Sequence, residues 1–382
     1  MTRRALIAVT HLLGSGHLVR ATHLARALGA AGFDTMLVSG GTAPRSVPEG
    51  PFTFAQLPPV KVEGVDFRNL LDPEGSPVSQ EYRALRREML SDLTAQHRPD
   101  VVITEHFPFG RRQLADEFLD MIGAAMAASP KTLVLSSVRD VLVTPRADRI
   151  RETEERIAGH FDAVLVHGDA AFLPLERSWP VAPELAQKLR YTGYLTGAEE
   201  RAAPLEPGEI VVSAGGSAVG LPLFELAIAT AILMGNRRRW RILGGLGIGA
   251  AEFADLQRRA PAHVRVERAR PDFPALLAGC ALSISQAGYN TVLDLVRAGR
   301  PAIVVPFDAG NETEQAIRAE AMERAGLARC LRLSGPDSLT PEGLAEAVTE
   351  MLEAGPIPPL TIDRAGAEAS VAVIAKLLAE RG

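Results

Sequence analysis

The sequence predicts an α/β protein built from two Rossmann-like, doubly wound domains. Three observations lead there. Apolar, strand-like runs alternate with helix-spaced stretches from end to end, the pattern of parallel sheets joined by helical crossovers. The chain has 382 residues, more than one ordinary core supports. A stretch rich in proline and charge, Thr196–Glu209 with Pro204 and Pro207, divides two such series.

The first series opens with a basic head and an apolar run, as a short signal peptide does. The run is broken at His11 and feeds directly into Gly14-Ser-Gly-His17, so a strand at Ala5–Thr10 is expected instead. His17–Ala31 carries Leu18, Ala21, Leu24, Ala25 and Leu28 at helical spacing. Strands are expected at Asp34–Gly40, Asp100–Thr104, Thr132–Ser136, Ala163–Val166 and Arg190–Leu195. Pro44–Gln80, rich in Pro, Gly and charge, reads as a long mobile excursion. The second series places strands at Ile210–Ala214, Trp240–Leu243, Val264–Glu267, Leu282–Ser285, Ala302–Val305 and Arg329–Leu333. A last helix, Asp363–Glu380, follows Pro-Ile-Pro-Pro359. The expected division is residues 1–195, a linker 196–209, a second domain 210–360 and a final helix within 361–382.

Composition narrows the function. A formal net charge of −5 gives no long-range pull on nucleic acid or anionic lipid. Cys280 and Cys330 make no disulfide framework, so a reducing cytoplasm is the expected compartment. No run approaches the roughly 18 apolar residues that a membrane span needs. There is no Asp-x-Asp, His-Glu-x-x-His, Cys-x-x-Cys or Walker-type Gly-Lys-Ser/Thr, so a metal-gripped diphosphate or zinc hydrolysis lacks its expected residues. The Gly-x-Gly-x-x-Gly fingerprint is incomplete around Arg20, which counts against a nicotinamide dehydrogenase.

Candidate chemistry gathers at strand ends. Gly14 and Gly16 let the backbone turn tightly ahead of His17, whose imidazole suits a general base; a capping histidine after a structural turn would look the same. His11 and His23 read as spectators. Glu105, in Glu-His-Phe-Pro-Phe-Gly-Arg-Arg112, ends a strand and could orient His17, or be a solvated acid beside two arginines. Arg139 and Asp140 end the next strand, and His167 the one after. Ser213-Ala-Gly-Gly-Ser217 could grip a phosphate through its amides and hydroxyls. Ser285-Gln-Ala-Gly-Tyr-Asn-Thr-Val-Leu-Asp294 is a strand, a turn and a helix start, whose unpaired N–H groups suit a diphosphate, with Asp294 able to turn toward a ribose. Asn311-Glu-Thr-Glu-Gln315 offers an acid and an amide to sugar hydroxyls; acids also favour helix starts on their own account. The basic stretch Arg83-Ala-Leu-Arg-Arg87, with Arg111 and Arg112, could meet an anionic acceptor or form a solvated face.

Gly-Ser-Gly-His17, Phe-Pro-Phe-Gly-Arg-Arg112, Val-Arg-Asp140, Tyr-Thr-Gly-Tyr194 and the Ser285–Phe307 block together resemble GT-B glycosyltransferases close to the peptidoglycan N-acetylglucosaminyltransferase family. The narrower resemblance is to bacterial proteins described only as predicted glycosyltransferases. It implies a GT-B fold of two facing doubly wound domains around a cleft, with the C-terminal helix crossing back onto the first. It implies that Gly215, Gly216, Ser217, Ser285 and Gly288 bracket a donor diphosphate, with Asn290 and Thr291 beside them. Asp294, where the wider family has glutamate, would bind ribose, and Arg270 falls where the base is held through backbone groups. Glu314 and Gln315 match the pair that holds the donor sugar. His17 falls where the inverting base or an acceptor-side residue is found; the strand-end reading adds Glu105 as its partner and Gly14, Gly16 and Arg139 on the acceptor side.

The activity implied is inverting, metal-independent transfer from a UDP-linked sugar to an unknown acceptor, anionic or lipid-linked, with peripheral membrane contact and no cofactor beyond the nucleotide-sugar substrate. Two alternatives stay open. The Gly-Ser-Gly-His-Leu-Val-Arg20 stretch is also similar to UDP-sugar hydrolases of the pseudaminic acid pathway, and an epimerase would use the same architecture. A non-catalytic nucleotide-sugar-binding protein would share the donor half.

Overall fold

The computed structural model describes residues 2–12, 15–44, 46–63, 69–196, 208–215, 218–307, 313–335, 338–355 and 362–381. It divides into two compact units, Met1–Gly197 with Asp363–Gly382, and Ala198–Ile362. Most of the expected linker, residues 197–207, lies outside the described residues.

Unit 1 holds a parallel sheet of seven strands: β1 (Arg4–Val9), β2 (Asp34–Ser39), β3 (Thr53–Gln56), β4 (Val101–Glu105), β5 (Leu133–Arg139), β6 (Ala163–His167) and β7 (Leu189–Tyr191), in the order β3-β2-β1-β4-β5-β6-β7. Its first five helices are α1 (Gly16–Ala30), α2 (Gln80–His97), α3 (Ala115–Ala128), α4 (Ala147–His160) and α5 (Pro183–Lys188). Side chains alternate between the two faces along each strand, and both faces are covered, so the strands read as continuous apolar runs. One face buries Leu6, Val38, Val102, Val134 and Val164 against Leu90, Phe118, Met121 and Ile157 of α2–α4. The other buries Ile7, Leu37, Ile103, Leu135 and Leu165 against Leu18, Leu24 and Leu28 of α1.

Unit 2 repeats the plan with β8 (Ile210–Ser213), β9 (Trp240–Gly244), β10 (Val264–Arg268), β11 (Leu282–Ser285), β12 (Ala302–Val304) and β13 (Arg329–Cys330), in the order β10-β9-β8-β11-β12-β13. Its helices are α6 (Leu221–Met234), α7 (Ala250–Arg259), α8 (Phe273–Gly279), α9 (Tyr289–Ala298), α10 (Glu314–Arg324) and α11 (Pro341–Ala354). Phe224, Ile228, Leu344 and Val348 pack on Ile210, Ile242 and Ile284. Both sheets are doubly wound and Rossmann-like, the fold class the sequence predicts.

Three details differ from expectation. The Pro44–Gln80 stretch contains edge strand β3, parallel to β2, and a small antiparallel contact of Leu71 with Lys61 and Pro77. Its residues 64–68 lie outside the described residues. The strand expected to run to Leu195 stops at Tyr191, and Tyr194 instead receives the returning chain, its N–H donating to Asp363 O at 2.8 Å. The strand expected at Arg329–Leu333 is two residues long, at the sheet edge.

That return docks the last helix, α12 (Gly366–Arg381), on the α1 face of unit 1 through Ile374 and Leu378. Arg381 at its end reaches Asp162 and the Thr132 carbonyl. The entry is tight: a Cβ on Gly366 would sit 2.5 Å from the Tyr194 carbonyl carbon and oxygen and 2.7 Å from Gly193 O, all backbone. Gly366→Ala should therefore lower unfolding stability by about 1–3 kcal/mol, as overpacking does. Denaturant titration checks this, and an unchanged midpoint would mean that the docking gives way freely.

Candidate functional site

Open α/β sheets bind at the carboxyl ends of strands where the winding reverses. In unit 1 that point lies between β1 and β4, and in unit 2 between β8 and β11. The candidate residues cluster at these two places.

On the α1 face of the first sheet, three apolar columns end in polar residues. Val101 and Ile103 lead to Glu105, Leu133 and Leu135 to Ser137 and Arg139, and Ala163 and Leu165 to His167. Register puts Glu105 beside Ser137 and Arg139 beside His167. The first turn of α1 supplies His17, with its Nδ1 3.0 Å from Glu105 Oε1. Arg20, one turn on, donates to the same oxygen and lies 3.1 Å from His17 Nδ1. Nδ1 cannot both donate to Glu105 and accept from Arg20. Arg20 already donates to the carboxylate, so Nδ1–H donating to Glu105 satisfies all three groups and leaves the lone pair on Nε2. The Glu105 side chain is 1% exposed and that of His17 13%.

Around this pair stand His106, whose ring centroid is 5.1 Å from that of His17, and Arg111, whose Nε donates to Thr10 O at 2.6 Å. His106 has a left-handed backbone (φ 69°), and its ring is so close to Gly110 that a Cβ there would meet it at 2.4 Å. Burial first, then Arg111, Arg20, Arg139 and His11, hold the His17 pKa well below its ordinary value. His106 is lowered likewise, by burial and then by His17, Arg111 and Arg139. His167 is pushed down to about 3, chiefly by burial. These imidazoles are neutral at pH 7.

In unit 2, Gly288 begins α9 with extended backbone (φ −67°, ψ 152°) and no side chain caps it. Tyr289, Asn290 and Thr291 are the first three helical residues, whose N–H groups have no acceptor within the helix. Ser285, at the end of β11, is buried, and its Oγ makes no hydrogen bond among the described residues. Gly215 after β8 has a left-handed φ of 68°, which favours glycine. Asp294, two turns into the segment, is raised to about 6 by burial, with Arg297 opposing.

Other candidates have structural partners. Glu314 is buried and 3.8 Å from Arg318, which donates to Ala287 O at 3.0 Å and so props the turn before α9. Gln315 Oε1 accepts from Phe307 N at 3.0 Å. Arg270 is held by Asp272 and Glu267. Asp140 accepts from Val141 N and Tyr194 OH, as a brace would. The basic stretch on α2 is engaged: Arg86 is buried against Glu117 and Arg87 pairs with Asp120. Gly14, Gly216, Ser217, Asn311 and Glu312 lie outside the described residues, while Gly16 is the first residue of α1. Among the described residues, no three His, Cys, Asp or Glu side chains are grouped as a metal ion would require.

Sequence reasoning did not single out Arg20, Ser137, Thr192 or Arg318 as site residues. For Ser137 the available signal was the polar residue ending an apolar strand column. The lowered histidines imply acid sensitivity. Below pH 6.5 the unfolded chain takes up protons that the folded one refuses, so stability falls as pH drops. For His167, at about 3 in the fold, the loss between pH 7.5 and 5 is about 2 kcal/mol. His167→Gln should flatten that dependence in urea titrations at the two pH values, and an unaltered slope would contradict the assignment.

Residues 211–378 match the glycosyltransferase family 28 C-terminal domain. The UDP-N-acetylglucosamine–N-acetylmuramyl-(pentapeptide) pyrophosphoryl-undecaprenol N-acetylglucosamine transferase of Novosphingobium aromaticivorans is 39% identical over 82 residues, 22% of this chain and 20% of that one. Its namesake from Rhodospirillum centenum is 30% identical over 154 residues, 39% and 40% of the two chains. The matches thus span about a fifth to two fifths of these relatives' length. Among solved structures, Acinetobacter baumannii MurG superposes with a TM-score of 0.63 at 16% identity, over 98% of this chain and 99% of that one. The glycotransferase of kitacinnamycin gives 0.62 at 17% identity, over 100% and 96%. The chain has the GT-B fold, matches the glycosyltransferase family 28 C-terminal domain over residues 211–378, and is related to the peptidoglycan N-acetylglucosaminyltransferases.

Proposed function

We propose that this chain is an inverting, metal-independent glycosyltransferase that moves a sugar from a UDP-linked donor to an acceptor hydroxyl. The observation that carries the reading is the His17–Glu105 pair at the β1/β4 reversal, a neutral imidazole oriented by a buried carboxylate. Nε2 would take the acceptor's hydroxyl proton as that oxygen attacks the anomeric carbon. The bond from that carbon to the diphosphate breaks on the opposite side, which inverts the centre. Glu105 would hold the tautomer and stabilise the imidazolium.

In unit 2 the α9 amides and the residues Gly215, Gly216, Ser217, Ser285 and Gly288 would take the leaving diphosphate's charge, the role a metal fills elsewhere. Asp294 would accept from ribose hydroxyls, Arg270 would flank the base, and Glu314 with Gln315 would hold the sugar. Gly14, Gly16 and Arg139 would line the acceptor side. The acceptor named for the relatives is a pyrophosphoryl lipid, which supports an anionic or lipid-linked acceptor here. No helix among the described residues is long and apolar enough to cross a membrane. Peripheral contact at the cytoplasmic face fits this reading.

Three measurements test it. A thermal-shift panel of nucleotides and nucleotide sugars fixes the donor. With that donor and a lipid extract as acceptor pool, nucleotide release should be unaffected by EDTA. His17→Ala should slow it by about 10²–10⁴-fold while leaving donor affinity within twofold; full turnover in that variant would remove the assigned base. Rapid stoichiometric release of free sugar from UDP-N-acetylglucosamine without acceptor would replace transfer by hydrolysis.

Asp294→Asn should weaken donor binding in calorimetry and, at pH 7.5, raise unfolding stability by about 1–3 kcal/mol. A carboxyl held near 6 in the fold and 3.8 outside it loses stability as pH rises through that window. Unchanged donor affinity would remove Asp294 from the binding site.

A further inference from the structure

Behind the His17–Glu105 pair, hydrogen bonds continue in one direction across the sheet. Ser137 Oγ donates to Glu105 Oε2 at 2.6 Å and lies 2.9 Å from His167 Nε2, and His167 Nδ1 lies 2.9 Å from Thr192 Oγ1. Glu105, Ser137 and His167 are fully buried, on three neighbouring strands and the same face. Each hydroxyl has one proton, which fixes the order. The Glu105 carboxylate accepts only, so Ser137 gives its proton to Oε2. Its lone pair must then accept from His167 Nε2–H. The other ring nitrogen of His167 is therefore an acceptor, and Thr192 donates to it. The reverse order would leave the 2.6 Å contact between Ser137 and Glu105 without a proton. Neutrality of His167 across the physiological range agrees with one fixed tautomer.

We propose that Ser137 and His167 are positioning residues, a buried relay that fixes the orientation and charge of Glu105 and through it the tautomer and basicity of His17. This deepens the catalytic reading and rests on it for its functional meaning. Without Ser137's proton, the Glu105 carboxylate is less stabilised and attracts the His17 Nδ1–H more strongly, so the imidazolium of His17 becomes easier to form. The other groups facing His17 are His11, Arg20, His106, Arg111 and Arg139, all of which oppose that charge or leave it unaided. None is altered by the substitutions below.

The test is a pH titration of the full chain, labelled with ¹⁵N-histidine, followed by NMR of the ring nitrogens. In the wild type, His17 should show the Nδ1–H tautomer and His167 the Nε2–H tautomer, and His167 should stay neutral down to pH 5. Ser137→Ala should raise the His17 titration midpoint by about 0.5–1 pH unit, as loss of one hydrogen bond to a charged form does. His167→Leu, which keeps bulk but removes the donor, should raise it less. His167→Gln, whose amide places an N–H where Nε2 was, should restore it, a rescue that mere packing would not show. His17 titration unchanged in both Ser137→Ala and His167→Leu would overturn the relay, as would a wild-type His167 carrying its proton on Nδ1. If Ser137→Ala does not fold, the His167 pair decides alone. The His17→Ala turnover experiment stands apart: full activity there removes the base, whereas the NMR result reports on the relay whichever way that goes.

Discussion

Everything in unit 1 turns on a carboxylate that water does not reach. Glu105 sits at the end of a central strand, where a lone buried charge would be strongly unfavourable unless it is paired and fully hydrogen-bonded. The fold surrounds it: Arg20 and His17 from α1 on one oxygen, Ser137 from the neighbouring strand on the other. The carboxylate and its partners lie on three elements, β4, α1 and β5, so it is satisfied only when α1 is seated on the sheet and β4 and β5 are in register. The α1 apolar stripe of Leu18, Leu24 and Leu28 supplies that seating. Packing and the site's electrostatics are thus one constraint rather than two.

The parallel sheet explains why the polar residues are found together at all. With period-two alternation, residues ending adjacent columns on one face lie at one level, and successive strands present them as a row. Glu105 and Ser137 are such a pair, and His167, level with Arg139 on the same face, reaches back to Ser137. Unit 2 uses the same geometry for a different end. At its reversal point stand the small residues Gly215, Ser285 and Gly288, and α9 begins there without a side-chain cap. On the proposed reading, one switch point would supply a proton acceptor and the other hydrogen-bond donors, from the same topology.

Much of this could be read in the sequence. The central strands were legible because burial on both faces demands unbroken apolar runs, as in Val101–Ile103 and Ile210–Val212. The Gly-Ser-Gly-His17 turn and Glu105 stood out because polar residues follow such runs abruptly. What was not legible depends on register or on long-range pairing. Thr53–Gln56 is half-buried at an edge and has no apolar column, so it looked like loop. Ser137 in Leu-Ser-Ser-Val-Arg139 is an ordinary strand residue until alignment sets it beside Glu105. Arg86 looked like one charge in a basic helical face, yet the fold buries it against Glu117 from α3. Arg318 is a helical arginine in sequence, and only the tertiary structure shows it supporting the Ala287 carbonyl.

The two units also store their electrostatic strain with opposite sign. In unit 1, burial and a cluster of arginines press histidines below their ordinary values, so acidification works against the fold. In unit 2, burial raises Asp294 to about 6, so its ionised form at neutral pH works against the fold and protonation relieves it. Between pH 4 and 6 acidification therefore costs stability through the buried histidines of unit 1 and adds it through Asp294 of unit 2. Each has its own core and sheet. His17 and His106 on one side and Asp294 on the other follow the strands at the two reversal points of the winding, where buried position and the proposed function compete most directly.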